Sequence, residues 1–179
     1  MELRILIAYV SGYGSTAEVA QEMGKHLTEG GISVTVSPLP HIDNLAQYDA
    51  VIIGGAIRYD RWMPVAREFV KKHESHLAKI PVAYFFNCLA LARRTEETEN
   101  KANQYAHQLM ALTDQVKPLS IGRFAGVLDY TKMPFFLRMI FKVFGSIVGL
   151  QEGDYRDWQA IHQWTKDVEV QFVEVLKEN

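Results

Sequence analysis

Apolar segments alternate with helical ones along the chain, and this alternation constrains the fold more than any other feature of the sequence. The predicted strands span residues 3–10, 32–36, 49–55, 81–87 and 119–128, and the predicted helices span residues 16–27, 64–76, 95–112 and 157–176. Alternating strands and helices favour a parallel sheet with right-handed crossovers and helices on both faces. The sequence therefore predicts a doubly wound α/β fold with five parallel strands.

Length and composition narrow the classes of protein. A chain of 179 residues with 48% hydrophobic residues is the size of one domain, and we predict a single domain over residues 1–179. A net charge of −2 gives no support for a nucleic-acid partner. Cys88 is the only cysteine, which fits a reducing compartment. The N-terminus does not resemble a secretory signal, so we expect a cytoplasmic protein.

Metal binding is not predicted. His73 and His76 are three residues apart and could share a helix face, but no third ligand accompanies them. We interpret them as residues of a solvated helix end.

A loop rich in glycine and hydroxyl groups follows the first strand and leads into a helix. Its residues are Ser11, Gly12, Tyr13, Gly14, Ser15 and Thr16. Hydroxyls, free backbone N–H groups and the helix dipole suit a phosphate. The loop has neither the lysine of a P-loop nor the spacing G-x-G-x-x-G, which favours a monophosphate such as that of FMN over a triphosphate. The alternative is an ordinary helix cap, since Ser and Thr are common there.

The loop resembles that of the flavodoxin family, whose pattern T/S-x-T-G-x-T is matched by Ser11, Gly14 and Thr16. Tyr13 departs from the middle hydroxyl position of that pattern. Further along the chain, the sequence is similar to the menaquinone-dependent protoporphyrinogen oxidase branch of flavodoxin-like proteins. That similarity rests on residues 53–59 (Ile-Gly-Gly-Ala-Ile-Arg-Tyr), 67–73 (Arg-Glu-Phe-Val-Lys-Lys-His), 87–93 (Asn-Cys-Leu-Ala-Leu-Ala-Arg) and 157–158 (Asp-Trp). It covers nearly the whole chain, and it implies the strand order 2-1-3-4-5 and an FMN cofactor.

Ligands of such sheets bind beyond the carboxyl ends of the strands, so the segments after the third and fourth strands are predicted to hold the flavin ring. Tyr59 or Trp62 could stack on the ring, and Arg58 could favour an anionic reduced flavin or pair with Asp60. Besides the loop at 11–16, the predicted cofactor-binding residues are Gly55, Ala56, Ile57, Arg58, Tyr59, Asn87, Cys88, Leu89 and Ala90.

Residues 130–150 form a predicted insertion that is rich in apolar side chains and has no acidic residue. On a helix, Arg138, Lys142, Ser146 and Gly149 would form a narrow polar stripe. Such a helix must pack on the domain, lie between subunits of a homo-oligomer, or contact a membrane surface or quinone.

Basic residues are predicted around the mouth of the site, among them Arg58 and Arg61, and they suit an anionic substrate or an anionic membrane surface. The alternative is that they are ordinary solvated side chains. The residues predicted to contact substrate or membrane are Arg93, Arg94, Lys132, Arg138 and Lys142.

The function that the resemblance implies is an FMN-dependent oxidoreductase that passes electrons from a porphyrinogen-type substrate through FMN to a quinone. No catalytic side chain is predicted, because FMN would carry the chemistry. A peripheral location on the inner face of the cell membrane is one expectation. The alternatives are a flavodoxin-like electron carrier and an NAD(P)H-dependent quinone reductase.

Overall fold

The computed structural model describes residues 3–132, 134–136, 138–140 and 150–178. Its strands are β1 (Arg4–Val10), β2 (Ser33–Pro38), β3 (Ala50–Arg58), β4 (Arg61–Trp62), β5 (Val82–Asn87), β6 (Ser120–Phe124), β7 (Val127–Leu128) and β8 (Gly153–Asp154). Its α-helices include α1 (Ser15–Glu29), α2 (Pro64–Lys72), α3 (Glu74–Leu77), α4 (Glu96–Met110) and α5 (Trp158–Glu178).

Five parallel strands form the central sheet in the order β2-β1-β3-β5-β6, and β4 pairs with β3 as an antiparallel addition. In register, Ile7 of β1 lies between Val36 of β2 and Ile52 of β3. The fourth and fifth predicted strands correspond to β5 and β6. The predicted fold class and strand order are therefore confirmed.

Hydrophobic clusters cover both faces of the sheet because neighbouring side chains of a strand point to opposite sides. On one face Leu6 and Ile53 pack with residues of α2 and α4. On the other face Ile7 and Ile52 pack with residues of α1 and α5, among them Phe172. The carboxyl ends of the strands are thus held at one edge by helices above and below.

The predicted strand at 119–128 is too long. The ladder of β6 with β5 ends at Phe124, and the amide of Asn87 donates to the carbonyl of Ala125 at 3.1 Å. The chain then forms β7, which pairs with β8 in an antiparallel ladder. The strand therefore ends where the backbone carbonyl of Ala125 accepts from a side-chain amide instead of a backbone N–H.

The predicted helix at 64–76 is also divided in two. His73 follows α2 with φ −104° and ψ 13°, which is outside the helical region, and α3 then begins at Glu74. His73 is the residue at this break, and its ring packs on that of Phe69 with centroids 4.6 Å apart.

Candidate functional site

The loop between β1 and α1 is shaped by a glycine and a serine. Gly14 has φ +97°, a left-handed conformation that costs energy for any residue with a Cβ, and it precedes the first residue of α1. Its N–H donates to the hydroxyl of Ser11 at 3.0 Å. Ser11 is therefore a residue that folds the loop, and the N-terminus of α1 opens toward the space beyond β1.

Thr16 lies in the first turn of α1 and is fully buried. Its hydroxyl has no hydrogen-bond partner among the described residues. The N–H groups of a first helical turn also have no partner within the helix. A buried hydroxyl without a partner is costly unless it donates a hydrogen bond to a ligand. This end of the site is therefore suited to an anion.

A tight hairpin carries the next part of the site. Arg58 of β3 pairs with Arg61 of β4, and the turn residues Tyr59 and Asp60 have φ 52° and 58°. Two positive φ values define the turn that matches the twist of a two-residue hairpin. The carboxylate of Asp60 accepts a hydrogen bond from the hydroxyl of Tyr105 in α4 at 2.5 Å. The hairpin is thereby fixed, while the Tyr59 side chain is exposed.

Arg58 joins the hairpin to the loop at 11–16. Its guanidinium lies 4.9 Å from the centroid of the Tyr13 ring and 6.0 Å from that of Tyr59, and it donates to the Tyr13 hydroxyl at 3.2 Å. The predicted alternative, a pair with Asp60, is not formed in the structure. The cation instead lies between two aromatic rings at the rim of the site.

These segments enclose a cavity of about 270 Å³ at the carboxyl edge of the sheet. Its walls are Gly12, Tyr13, Ser15, Thr16, Ala56, Ile57, Arg58, Tyr59, Asn87, Leu89, Gly126 and Val127. Most of the residues predicted to bind the cofactor are thus brought together. Gly126 and Val127 were missed because the predicted fifth strand at 119–128 included them, whereas the observed strand ends at Phe124 and places them beyond its carboxyl end.

Several predicted cofactor-binding residues do not line this cavity, namely Ser11, Gly14, Gly55, Cys88 and Ala90. A Cβ on Gly55 would lie 2.6 Å from Nε1 of Trp62, so this glycine makes room for the indole. Trp62 itself is buried and does not line the cavity either, which leaves Tyr59 as the aromatic residue of the hairpin at the site. Cys88 is also buried, and burial raises the pKa of its thiol.

The basic residues predicted at the rim are spread over different parts of the surface. Arg94 pairs with Glu99 at 2.7 Å, and Nζ of Lys132 lies 3.8 Å from carboxylate oxygens of Glu18 and Asp129. Arg138 donates to the carbonyl oxygen of Tyr130 at 2.8 Å. Arg93 is exposed, and Lys142 lies outside the described residues.

Arg156 was not predicted from sequence, yet it ties the N-terminal turn of α1 to β8. Its guanidinium contacts Glu18 of α1 at 2.7 Å and Asp154 of β8 at 2.6 Å, and its side chain is only 7% exposed. It also lies 4.5 Å from the Trp158 ring centroid. The hydrogen bond from Arg156 lowers the pKa of Asp154. Glu18 is 138 residues from Arg156 in the sequence, so no local pattern indicated this role.

The sheet order, the loop before α1 and the cavity beyond the strands define a flavodoxin-type domain. The chain belongs to the flavodoxin domain family, which it matches over residues 6–152. It is 28% identical over 173 residues to "Protoporphyrinogen IX dehydrogenase [quinone]" of Escherichia coli strain K12, a match that covers 93% of this chain and 94% of that one. The resemblance predicted from the sequence is thereby confirmed.

Solved structures show the same fold. A flavodoxin from Streptococcus pneumoniae TIGR4 superimposes with a TM-score of 0.55 at 11% identity, covering 94% of this chain and 99% of that one. Oxidised flavodoxin 2 from Bacillus cereus gives a TM-score of 0.54 at 22% identity and covers 69% of this chain and 84% of that one. Among the residues that the structure describes, no helix is both long and apolar enough to cross a membrane.

Proposed function

We propose that the chain is an FMN-dependent, quinone-linked protoporphyrinogen dehydrogenase. The observation that carries this proposal is the likeness to the Escherichia coli protein, because it extends over nearly the full length of both chains. Membership of the flavodoxin domain family supports a flavin as the cofactor. The geometry of the cavity supports FMN in particular.

The phosphate end of the cavity fits a phosphate monoester. The Thr16 hydroxyl is buried and has no partner in the part of the chain that the structure describes, and Ser15 at the N-terminus of α1 lines the same end of the cavity. A hydroxyl donor and free N–H groups can all donate to phosphate oxygens, and the helix dipole favours the negative charge. Nothing in this loop resembles the lysine that holds a triphosphate.

The other end of the cavity fits a flat, mainly apolar ring. Ile57, Leu89 and Val127 supply apolar contacts, while Ala56 and Gly126 have small or no side chains and let the backbone approach closely. Asn87 is buried and its Oδ1 has no partner among the described residues, so one acceptor remains for a donor on the ring.

When bound, FMN supplies the two-electron chemistry, and the chain supplies position and electrostatics. In the overall reaction the porphyrinogen is oxidised by loss of hydrides and protons. For each hydride and proton that it loses, one quinone gains two electrons and two protons. Among the described cavity walls there is no His, Asp, Glu or Lys. We therefore assign no general base, and Arg58 is the residue that would stabilise negative charge near the ring.

We further propose that part of the insertion contacts a membrane surface or a quinone. Phe135 and Phe136 are 75% and 62% exposed, and Met139 and Ile140 are more than half exposed. Exposed apolar side chains in such density are typical of contact sites. Arg138 lies among them and suits an anionic surface.

Anaerobic reduction of the FMN-loaded protein tests the proposal. We expect protoporphyrinogen to bleach the flavin absorbance, NAD(P)H to leave it unchanged, and an added quinone to restore it. Reduction by NAD(P)H alone would instead identify a quinone reductase. Accumulation of a stable one-electron form, without reaction with protoporphyrinogen, would identify an electron carrier.

A further inference from the structure

A second cavity has a volume of about 390 Å³. It is lined by Asp60, Arg61 and Trp62 of the hairpin, whereas Arg58 and Tyr59 of the same hairpin line the first cavity. The second cavity is bounded by β4, by α2 and by the C-terminal end of α4, and we call it the α2 cavity. Arg61 of the hairpin and Arg67 and Lys71 of α2 line it. Arg61 belongs to the basic rim predicted from the sequence, whereas Arg67 and Lys71 were not among the residues predicted to contact substrate.

The charge of the α2 cavity is unbalanced. Arg67 and Lys71 are four residues apart and share one face of α2, where like charges repel. Within the described ranges, no carboxylate lies within 4.0 Å of the charged nitrogens of Arg61, Arg67 or Lys71. The acid in the wall is Asp60, whose carboxylate accepts from Tyr105. Clustered cations without partners attract an anionic ligand.

The remainder of the wall is apolar, with Trp62, Leu109 and Leu112 among its residues. A ligand that suits both parts has an apolar body and more than one carboxylate, because arginine pairs with carboxylates through two parallel hydrogen bonds. Inorganic anions would leave the apolar wall without a partner.

The hairpin connects the α2 cavity to the first cavity, of about 270 Å³, which we call the flavin cavity. Arg58 lines the flavin cavity and its ladder partner Arg61 lines the α2 cavity, with Tyr59 and Asp60 between them. Tyr59 is 85% exposed at this boundary. A ligand held by its carboxylates in the α2 cavity could therefore rest an apolar ring on Tyr59, beside the flavin.

We propose that the α2 cavity binds the carboxylate side chains of the porphyrinogen-type substrate. This inference rests on the proposed function for the name of the ligand. Of the two substrates in that proposal, the quinone carries no charge, so the cationic cavity selects the porphyrinogen. Arg61, Arg67 and Lys71 are then specificity-determining residues.

The test is a binding titration of the FMN-loaded protein with protoporphyrin IX and with its dimethyl ester, followed by tryptophan and porphyrin fluorescence in the same dilute detergent. We expect the diacid to bind at least about tenfold more tightly than the ester, since charge-assisted hydrogen bonds are lost with the ester. The double variant Arg67→Glu/Lys71→Glu should lose this preference. The matched control Lys72→Glu/Lys79→Glu changes two exposed lysines that do not line the cavity and should keep it.

A neutral pair, Arg67→Gln/Lys71→Gln, covers the case in which the reversed charges prevent folding. In turnover, the cavity variants should raise the KM for protoporphyrinogen with little change in kcat and none in FMN affinity. Equal binding of diacid and ester by the wild type, or an unchanged preference in both cavity variants, would overturn the inference. If the diacid preference is present and charge-dependent but no protoporphyrinogen is oxidised, the proposed function fails while the cavity stands.

Discussion

At the scale of single residues, Thr16 offers the sharpest test of the cofactor site. Its hydroxyl is buried and has no partner among the described residues. Thr16→Val replaces that hydroxyl by a methyl group of similar size. We expect FMN binding to weaken by about 1.5–3 kcal/mol, because a hydrogen bond to a charged phosphate is lost. The free energy of unfolding of the apoprotein should stay the same or rise, since an unsatisfied polar group is removed.

Thr165 provides the matched control for this substitution. It is equally buried, but its hydroxyl donates to the carbonyl of Ile161 at 2.8 Å within α5. Thr165→Val should therefore leave FMN affinity unchanged, as fluorescence titration will show. Equal FMN affinities for wild type and Thr16→Val, or equal affinities for FMN and riboflavin, would contradict the phosphate assignment.

Cys88 is the second residue with a distinct expectation. Burial raises the pKa of its thiol, so less thiolate is present at pH 8 than in an exposed cysteine. We expect slow alkylation of the native protein by iodoacetamide and rapid alkylation in guanidinium chloride. Because Cys88 does not line the flavin cavity, FMN should not protect it directly. Rapid labelling of the apoprotein that FMN abolishes would show that the thiol faces the site.

At the scale of elements, Arg156 links α1 to β8, and the link has a pH signature. The pKa of Asp154 is lowered by Arg156, so the carboxylate contributes stability above its unfolded pKa, and this contribution is lost as the pH falls through the lower folded pKa. Asp154 is 44% exposed and solvent screens the pair, so the effect should stay below about 1 kcal/mol.

Urea unfolding between about pH 5 and pH 2 measures this contribution. The wild type should lose stability as the pH is lowered, and both Asp154→Asn and Arg156→Met should show a shallower loss. The two variants reach the same result by different routes, one by removing the carboxylate and the other by removing its partner. A slope in either variant as steep as that of the wild type would contradict the assigned pair.

The elements that sequence analysis predicted well are those set by local patterns. The apolar strands β1, β3 and β5 and the helix α5 follow from periodicity, and their order follows from the resemblance. The end of β6 could not be predicted, because it depends on Asn87, which is 38 residues from Ala125. The turn at Tyr59 and Asp60 gave no signal either, because neither residue is glycine and Tyr105, its support, is 45 residues from Asp60.

The same distinction applies to the site. The loop at 11–16 was found because its glycines, hydroxyls and helix start are contiguous in sequence. The α2 cavity and the role of Arg156 arise from segments that meet only in the folded chain. The basic rim was therefore predicted as a group, but the ion pairs of its members and the place of Arg61 beside Arg67 and Lys71 in a separate cavity required the structure.

At the scale of the whole molecule, exposed aromatic residues of the insertion predict a surface contact. Phe135→Ser/Phe136→Ser should reduce co-sedimentation with anionic vesicles at low salt, because burial of each large apolar side chain contributes about 1.5–3 kcal/mol. This double variant is easier to interpret than Arg138→Glu, because Arg138 also donates a hydrogen bond to the carbonyl of Tyr130 and its loss would change the local structure. FMN affinity should be unchanged. A wild type that does not bind such vesicles would leave packing or self-association as the role of this segment.

The short ladder of β7 with β8 should allow residues 129–152, which contain the insertion, to be deleted as one unit, which we call the cassette. Leu128 and Gly153 are direct partners across this ladder, so the two ends of the intervening chain lie as close as adjacent strands of any hairpin. A two-residue Asn-Gly turn could replace residues 129–152 without displacing the sheet, because that is the natural closure of an antiparallel pair. We expect the shortened protein to retain FMN and to exchange electrons with small soluble dyes while losing rapid reaction with membrane quinones. Grafting the cassette between the corresponding strands of a flavodoxin-like electron carrier would then test whether this segment alone is sufficient for reaction with a membrane quinone.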